Sequence, residues 1–345
     1  MTTKLNENAS EKFRLLTFSQ TVDIISQKQN TLILCHARPD CDTLGSAFAL
    51  RSLLCEMGAR AWCLCANEVP HRLRFVLSGQ ESVLYENMPA DFEAERVISV
   101  DTASPSQLGK LFEIFQGKIS LMIDHHGIGE QYADGYIRPD AAATGELIFS
   151  ISRELISRGV LDRIPPEADA CIYAAVSSDT GGFRYSSVTP ETHRIASELV
   201  ASGVNSAEIN RKLYEGKPLI QLKAEKLGFD RLELYREGTI SVLTFPYELK
   251  KQYGIEDEYL ETLIDVARTV EGVEIAAALR QPEDKSVFRC SMRSNGDADV
   301  SRICAKFGGG GHAKAAGCTI CASSIDEAKE QVRCAAEEEL GALLN

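Results

Sequence analysis

One histidine and two aspartates occur within seven residues near the beginning of the chain. His36, Asp40 and Asp42 belong to the stretch HARPDCDTLGS, which follows the apolar run TLILC. The apolar run predicts a buried strand, and the polar stretch after it predicts a turn at the end of that strand. Imidazole nitrogens and carboxylate oxygens are ligands for hard or borderline divalent cations. The spacing therefore indicates a candidate metal site where the first strand ends.

Similar residues follow three further apolar segments. Asp101 ends RVISVD, Asp124, His125 and His126 end KISLMIDHH, and Asp179 lies in AAVSSDTGG. We interpret all of these as strand-end positions, which in a parallel sheet lie at one edge. An N-cap of the following helix explains Asp42 or Asp101 taken alone equally well. Four converging positions are harder to explain by capping and favour a shared site.

Six of these residues are candidate metal ligands: His36, Asp40, Asp42, Asp101, His125 and Asp179. This number is enough for two ions. Mn²⁺ suits a mixed histidine and aspartate set most naturally, and Zn²⁺ or Co²⁺ is also consistent with it. Two ions about 3.5–4 Å apart form a known arrangement for displacement at phosphorus.

A run of four glycines lies near the end of the chain, in FGGGGHAKAAG at 307–317. Such a run is often a flexible turn. The following HAKAA is typical of a helix start, and glycine backbone next to a helix N-terminus can approach an anion closely. The sequence leaves both interpretations open.

Short apolar runs alternate with segments of helical periodicity in the first half of the chain. The alternation predicts an α/β fold with a mainly parallel sheet and helices on both faces. A helical connector and a smaller C-terminal α/β domain are predicted to follow. The predicted boundaries are 1–190, 191–232 for the connector, and 233–345.

Composition narrows the functional class. The 345 residues are 44% hydrophobic and 25% charged, with a formal net charge of −13. The negative balance argues against a broad surface for long nucleic acids, because such binding needs many Lys and Arg contacts to phosphates. The first residues, MTTKLNENASEKF, lack the apolar core of a signal peptide, and no apolar run has membrane-spanning length. We therefore expect a cytoplasmic protein with no membrane partner and mainly reduced cysteines.

Taken in order, the motifs resemble those of the DHH phosphoesterase superfamily. The N-terminal four are HARPDCD, the aspartate of VISVDTA, IDHH and SSDTGGFRY. The stretch MRSNGDADVSRICAKFGGGGHAKAAG is similar to the DHH-associated substrate-binding domain, with its strand arginine and GGGH signature. The resemblance extends from about residue 30 to residue 325. Each motif is weak alone, but five in the same order are specific.

The resemblance is strongest to enzymes that degrade very short RNAs and remove the 3′-phosphate of 3′-phosphoadenosine 5′-phosphate (pAp). It implies one metal on His36, Asp40 and Asp101, and another on Asp42, Asp101, His125 and Asp179. Asp101, as the shared ligand, and His126, facing the substrate phosphate, are the implied catalytic residues. Asp124 orients an imidazole in this interpretation, and a hydrogen bond to nearby backbone explains it equally well.

The C-terminal motif is implied to hold the substrate through Arg293, Gly309, Gly310, Gly311 and His312. The implied cofactors are two divalent metal ions, most naturally Mn²⁺. The implied partners are short RNA, dinucleotides or pAp, and long duplex nucleic acid is not expected. The oligomeric state is left open, with a homodimer among the options.

Other functions remain open at the level of sequence. A stand-alone phosphodiesterase for cyclic-di-AMP or linear dinucleotides shares these motifs. A RecJ-like single-strand exonuclease shares them too, but usually carries a further nucleic-acid-binding domain. A non-catalytic nucleotide-binding regulator would be expected to lack metal ligands, and all six candidates are present. The role of Cys41, where the family often has glycine, is not decided.

Overall fold

The chain forms two compact units. The computed structural model describes residues 13–283 and 285–342. Residues 1–12, at the start of the first predicted domain, and residues 343–345, at the end of the last one, lie outside the described residues. One unit extends to Gly216 and the other begins at Lys217; they are called here the N-terminal unit and the C-terminal unit.

A parallel five-stranded sheet forms the centre of the N-terminal unit in the part that the structure describes. Its strands are β1 (Thr31–Leu34), β2 (Ala61–Leu64), β3 (Arg96–Val100), β4 (Ile119–Asp124) and β5 (Gly135–Ile137). They lie in the order β2-β1-β3-β4-β5, and each neighbouring pair is parallel. The chain moves outward from β1 to β2 and then returns to β3 on the other side of β1. The loops after β1 and β3 therefore diverge and leave a crevice between them. Open α/β sheets bind ligands in such a crevice.

The strands are apolar at successive positions because both faces of the sheet are buried. Ile33 and Ile98 belong to one hydrophobic core, whereas Leu32 and Leu34 belong to a second core. Alternate residues of a strand point to opposite faces, so the two cores lie on opposite sides of the sheet. The predicted α/β fold, with a parallel sheet between helices, is confirmed.

The helices of this unit that the structure describes are α1 (Phe18–Ile25), α2 (Cys41–Glu56), α3 (Lys110–Phe115), α4 (Thr144–Ser157), α5 (Pro166–Asp179), α6 (Pro190–Ala201) and α7 (Ser206–Tyr214). Helices α2 and α4 approach α5 closely through glycines. A Cβ at Gly45 would lie 2.5 Å from the Cys171 carbonyl oxygen, and one at Gly145 would lie 2.7 Å from the Ala175 Cβ. The N-terminal parts of α2 and α4 therefore both meet the middle of α5.

The C-terminal unit contains a mixed sheet. Its described strands are β6 (Leu232–Tyr235), β7 (Ile240–Phe245), β8 (Ile275–Arg280), β9 (Val287–Ser294), β10 (Gly310–His312) and β11 (Ala315–Cys321). They lie in the order β10-β11-β9-β8-β7-β6, with β7 and β8 parallel and the other neighbouring pairs antiparallel. This agrees with the smaller α/β domain predicted for this part of the chain.

Helices cover both faces of the C-terminal sheet in part. They are α8 (Leu219–Phe229), α9 (Tyr247–Tyr253), α10 (Leu263–Arg268), α11 (Val300–Ala305) and α12 (Ile325–Ala342). Phe288 and Met292 of β9 share a core with α11 and α12. Leu243 and Phe245 of β7 share the other core with α8 and α10.

The helices predicted as a connector at 191–232 are divided between the units. Helices α6 and α7 belong to the N-terminal unit, and α8 belongs to the C-terminal unit. Across the described ranges, no helix combines the length and the apolar character that crossing a bilayer would need.

Candidate metal centre

The candidate ligands lie where neighbouring parallel strands end. His36 lies in the turn between β1 and α2, and Asp101 directly follows β3. Asp124 is the last residue of β4, and His125 and His126 come next. Because β1, β3 and β4 are adjacent and parallel, their carboxyl ends lie at the same edge of the sheet.

Asp40 is the N-cap of α2. Its Oδ1 accepts hydrogen bonds from the backbone N–H groups of Asp42 and Thr43, both at 3.0 Å. The same oxygen lies 3.5 Å from His36 Nε2. The sequence suggested capping by Asp42 or Asp101, which is wrong: Asp42 is the second residue of α2, and the cap is Asp40. The Asp40 carboxylate therefore both caps α2 and lies beside His36.

Asp42 is completely buried and surrounded by hydrogen-bond donors. Its Oδ1 accepts from Ser46 Oγ at 3.1 Å and from the Gly145 N–H at 3.0 Å. Its Oδ2 accepts from the Thr144 N–H at 2.7 Å. The two backbone donors belong to the first turn of α4, whose N–H groups have no acceptor within the helix and lie at the positive end of the helix dipole. These donors offset part of the cost of burying a carboxylate.

Asp101 connects the two sets of candidate ligands. Its Oδ2 lies 3.6 Å from His36 Nε2, and its Oδ1 lies 3.6 Å from His125 Nε2. Thr144 Oγ1 donates a hydrogen bond to Oδ1 at 3.1 Å. The residue has a φ of 53°, a left-handed conformation that aspartate tolerates better than most non-glycine residues. One carboxylate therefore has a different histidine beside each oxygen.

Asp179 reaches the same histidine from a helix. It is the last residue of α5, which agrees with the helical pattern of PPEADACIYAAVSSD; grouping Asp179 with the strand ends is wrong. Its Oδ2 lies 3.2 Å from His125 Nε2, while Asp42 Oδ2 lies 3.8 Å from the same nitrogen. Because the apolar run before Asp179 is a helix, the strand-end argument does not apply to it. Its membership of the motif SSDTGGFRY is what indicated a place in the site.

The two adjacent histidines are oriented through their Nδ1 atoms. His125 Nδ1 lies 3.3 Å from the Ala141 carbonyl oxygen, and His126 Nδ1 lies 2.7 Å from Asp124 Oδ1. Both acceptors require Nδ1 to carry the proton, which leaves the lone pair on Nε2 in a neutral ring. Asp124 therefore contacts His126 in the way that a carboxylate orienting a metal-site imidazole would.

The electrostatics show that these carboxylates need cations. Burial raises the pKa of Asp101 to about 8, and the charge of Asp40 adds to this effect. Burial and the charge of Asp101 raise the pKa of Asp42 well above its ordinary value. Burial alone would lower the pKa of His125, but Asp179 and the other carboxylates raise it to about 11. Carboxylates this close cannot all ionise without a positive partner.

The donor set fits a divalent metal. Three groups of residues include Asp101, and within each group the potential ligand atoms all lie within 4.8 Å of one another. The groups are His36, Asp40 and Asp101; Asp42, Asp101 and His125; and Asp101, Asp124 and His126. All donors are imidazole nitrogens and carboxylate oxygens, which hard and borderline divalent ions prefer. Asp179 adjoins the second set through His125. The described residues can therefore hold metal at this edge of the sheet.

Thr144 and Ser46 support the site in ways that the sequence did not reveal. Thr144 is the first residue of α4, after the N-cap Ala143. It donates its hydroxyl to Asp101 and its backbone N–H to Asp42. Ser46 donates to Asp42 from one turn further along α2. The sequence shows only that these polar residues lie beside the motifs. It does not show which carboxylates they contact.

The glycine run does not begin a helix. Gly310, Gly311 and His312 form β10, which pairs with β11 in an antiparallel hairpin. A Cβ at Gly309 would lie 2.3 Å from the Gly317 carbonyl oxygen, and Gly311 has a φ of 140°. Close backbone approach in the hairpin therefore requires these glycines, and the helix-start interpretation of HAKAA is wrong. Binding of an anion by the backbone of this run stays a prediction.

Arg293 and His312 lie on the same face of the C-terminal sheet. Arg293 of β9 and His312 of β10 are both directly opposite Ala315 of β11. Directly opposite residues in neighbouring strands point to the same face, and strands are about 4.8 Å apart, so the two side chains begin roughly 10 Å from each other. The structure brings these two residues together, and their contact with substrate stays a prediction.

Comparison with known proteins identifies the class to which this arrangement belongs. The model of the DHH family N-terminal domain matches residues 30–176, and that of the DHHA1 domain matches residues 239–338. The chain belongs to the DHH phosphoesterase family.

Several of its relatives are named bifunctional oligoribonuclease and PAP phosphatase. The chain is 30% identical to the bifunctional oligoribonuclease and PAP phosphatase NrnA of Thermus thermophilus over 89% of each chain. It is 27% identical to NrnA of Bacillus subtilis, over 90% of this chain and 95% of the relative. An exopolyphosphatase-related protein from Bacteroides fragilis has the same fold, with a TM-score of 0.85 at 24% identity, over 95% of this chain and 97% of that one.

Proposed function

We propose that the protein is a two-metal phosphoesterase that hydrolyses short oligoribonucleotides and pAp to mononucleotides. The observation that carries the proposal is the position of Asp101, which has His36 beside one carboxylate oxygen and His125 beside the other. A carboxylate shared in this way suits two ions about 3.5–4 Å apart. The names of the Thermus and Bacillus relatives supply the two substrates.

We assign one ion to His36, Asp40 and Asp101, and the other to Asp42, Asp101, His125 and Asp179. Mn²⁺ is the metal proposed for both, because the set mixes imidazole with carboxylate. Bound there, the cations would activate water and neutralise negative charge on the phosphoryl oxygens.

The protein's own residues fix the geometry of the reaction. Thr144 holds Asp101 by its hydroxyl, and the first turn of α4 holds Asp42 by two N–H groups. The Ala141 carbonyl keeps the proton of His125 on Nδ1, so that Nε2 is available as a ligand atom. His126, held by Asp124 through Nδ1, is assigned to contact the substrate phosphate.

The C-terminal unit is assigned to the part of the substrate that does not react. Arg293 and His312 share one face of its sheet and can bind a second phosphate with charged hydrogen bonds. A chain with a net charge of −13 offers few further contacts for a long polyanion. This supports a preference for short substrates.

The test is a competition assay with purified protein and Mn²⁺. Phosphate release from pAp is measured alone and against pGpG, pApA, cyclic-di-AMP and a five-nucleotide RNA. We expect hydrolysis of pAp and of the linear dinucleotides. Turnover of cyclic-di-AMP alone would replace the proposed substrate class. Absence of hydrolysis with the metal present would favour the nucleotide-binding regulator.

A further inference from the structure

Three cysteines of the C-terminal unit form a buried cluster. Cys290 lies on β9, Cys304 on α11 and Cys318 on β11, and all three belong to the core beneath α11 and α12. The side chains of Cys290 and Cys304 are near enough to Cys318 to lower the pKa of its thiol. Packing alone does not require three thiols in one core, since any small apolar side chain fills such space.

Two of these cysteines are placed as a disulfide requires. Cys290 and Cys318 are directly opposite each other in the antiparallel ladder of β9 and β11. Directly opposite residues in such a ladder have Cα atoms roughly 4.5–5.5 Å apart, within the range of about 4.4–6.8 Å that a disulfide spans. Their side chains point to the same face. Little backbone movement is therefore needed to join them.

The cluster is connected to the glycine run. The Gly309 N–H donates to the Cys304 carbonyl oxygen at 2.9 Å. A Cβ at Gly309 would lie only 2.5 Å from the Cβ of Cys318. The backbone that leads to His312 therefore lies directly on one of the thiol side chains, and a displacement of Cys318 must displace the glycine run.

We propose that a hydroperoxide oxidises Cys290 and Cys318 to a disulfide. Formation of this disulfide shifts the glycine run and weakens substrate binding. The effect on affinity rests on the proposed function, whereas formation of the disulfide does not. In the first step the Cys318 sulfur attacks a peroxide oxygen, the O–O bond breaks, and a sulfenic acid and an alcohol or water form. In the second step the Cys290 sulfur attacks the Cys318 sulfur, the S–O bond breaks, and water leaves with the Cys290 proton.

Cys318 is the first of the three to react for two reasons. It is 8% exposed, against 3% for Cys290 and 0% for Cys304. Hydrogen bonds from Cys290 and Cys304 lower the pKa of its thiol, which favours the reactive thiolate. Cys321, three residues further along β11, is exposed and points to the opposite face, so the CxxC spacing does not make these two cysteines a pair.

The test begins with peptide mapping of the full chain after treatment with a stoichiometric amount of hydrogen peroxide. We expect a Cys290–Cys318 linked peptide pair, an intact mass lower by about 2 Da for the two hydrogens lost, and reversal by dithiothreitol. The KM for pAp should rise at least fivefold. Metal content and turnover of bis-p-nitrophenyl phosphate, which has no second phosphate, should change less than twofold.

Matched variants make the outcome specific. Cys318→Ala and Cys290→Ala should each abolish the peroxide-dependent rise in KM, and Cys321→Ala should retain it. The proposal is overturned if the linked peptides do not form, or if both alanine variants of the pair respond like the unmodified chain. If the reduced chain does not hydrolyse pAp, the proposed function fails, and peptide mapping alone still decides whether the disulfide forms.

Discussion

Asp101 combines three properties that rarely occur together in an aspartate. It is buried, it has a positive φ, and it has a histidine beside each carboxylate oxygen. Residues held in uncommon backbone conformations cluster at functional sites, because the surrounding structure must maintain them. Here β3, which leads into Asp101, and the hydroxyl of Thr144 maintain it.

Substitution of Asp101 by asparagine tests its role as a shared ligand. Asparagine also tolerates a positive φ, so the fold should survive, and loss of one charge relieves repulsion with the neighbouring carboxylates. We expect pAp hydrolysis to fall by roughly 10²–10³-fold or more. The control Asp230→Asn removes an equal charge from an exposed position in the C-terminal unit and should leave the rate unchanged. Near-normal turnover of Asp101→Asn with saturating metal would exclude a shared ligand.

Asp40 caps a helix and Asp42 does not, whereas both are proposed metal ligands. Substitution by asparagine separates these two roles. Asparagine caps helices about as well as aspartate, so Asp40→Asn should keep the stability of α2. Both Asp40→Asn and Asp42→Asn should lower metal content, because each removes a proposed ligand charge. Metal analysis after gel filtration should find about two ions per unmodified chain and clearly fewer in each variant. Full metal content in both variants would contradict the ligand assignment. Asp40 would then serve only as a helix cap, and Asp42 only as a buried hydrogen-bond acceptor.

At the scale of elements, the glycines at the starts of α2 and α4 set the distance between ligands. Gly45 allows α2, which carries Asp42, to lie against α5, which ends in Asp179. Gly45→Ala places a Cβ against a backbone oxygen, so the helices must separate.

We expect Gly45→Ala to lower the free energy of unfolding by about 1–3 kcal/mol and to weaken metal binding, because overpacking at this contact moves Asp42 away from Asp179. Urea unfolding and metal titration measure the two effects. Gly341→Ala on α12 is the control, since its Cβ meets nothing within 4 Å and alanine is the better helix former. Equal stability of the two variants would show that α2 and α5 can separate without cost.

Elements with a strong apolar pattern could be predicted from the sequence, and weaker ones could not. The buried strands β1, β3 and β4 were predicted because their apolar patterns are pronounced. The three-residue β5 and the helix α1 are too short to stand out. The hairpin of β10 and β11 was mistaken for a helix start because alanine-rich sequence favours helix, while pairing with β9 decides the outcome.

The same distinction applies to the site. Residue types and the order of motifs led to the carboxylates and histidines that the structure brings together. The support from Thr144, Ser46 and the Gly145 N–H could not be predicted, because it depends on α4 meeting α2 across more than 100 intervening residues. The capping role of Asp40 was missed because cap and ligand candidates have the same chemistry.

At the scale of the whole molecule, chemistry and substrate binding are assigned to different units. If Arg293 and His312 bind a phosphate that does not react, Arg293→Ala and His312→Ala should keep metal content. Each should lower kcat/KM for pAp by roughly 10- to 150-fold, as expected for charged hydrogen bonds worth about 1.5–3 kcal/mol.

Hydrolysis of bis-p-nitrophenyl phosphate, with no second phosphate, should change much less in both variants. Arg302→Ala is the matched control, because Arg302 is an exposed arginine of the same unit on α11. Equal losses on pAp and on the simple diester would assign Arg293 and His312 to the chemical step or to folding instead.

The bridging role of Asp101 is tested most directly by anomalous scattering at the manganese edge from crystals grown with Mn²⁺. We expect two peaks about 3.5–4 Å apart, one next to His36 and Asp40, the other next to Asp42 and His125, with the Asp101 carboxylate between them. A single peak, or two peaks that do not share Asp101, would contradict the two-metal assignment.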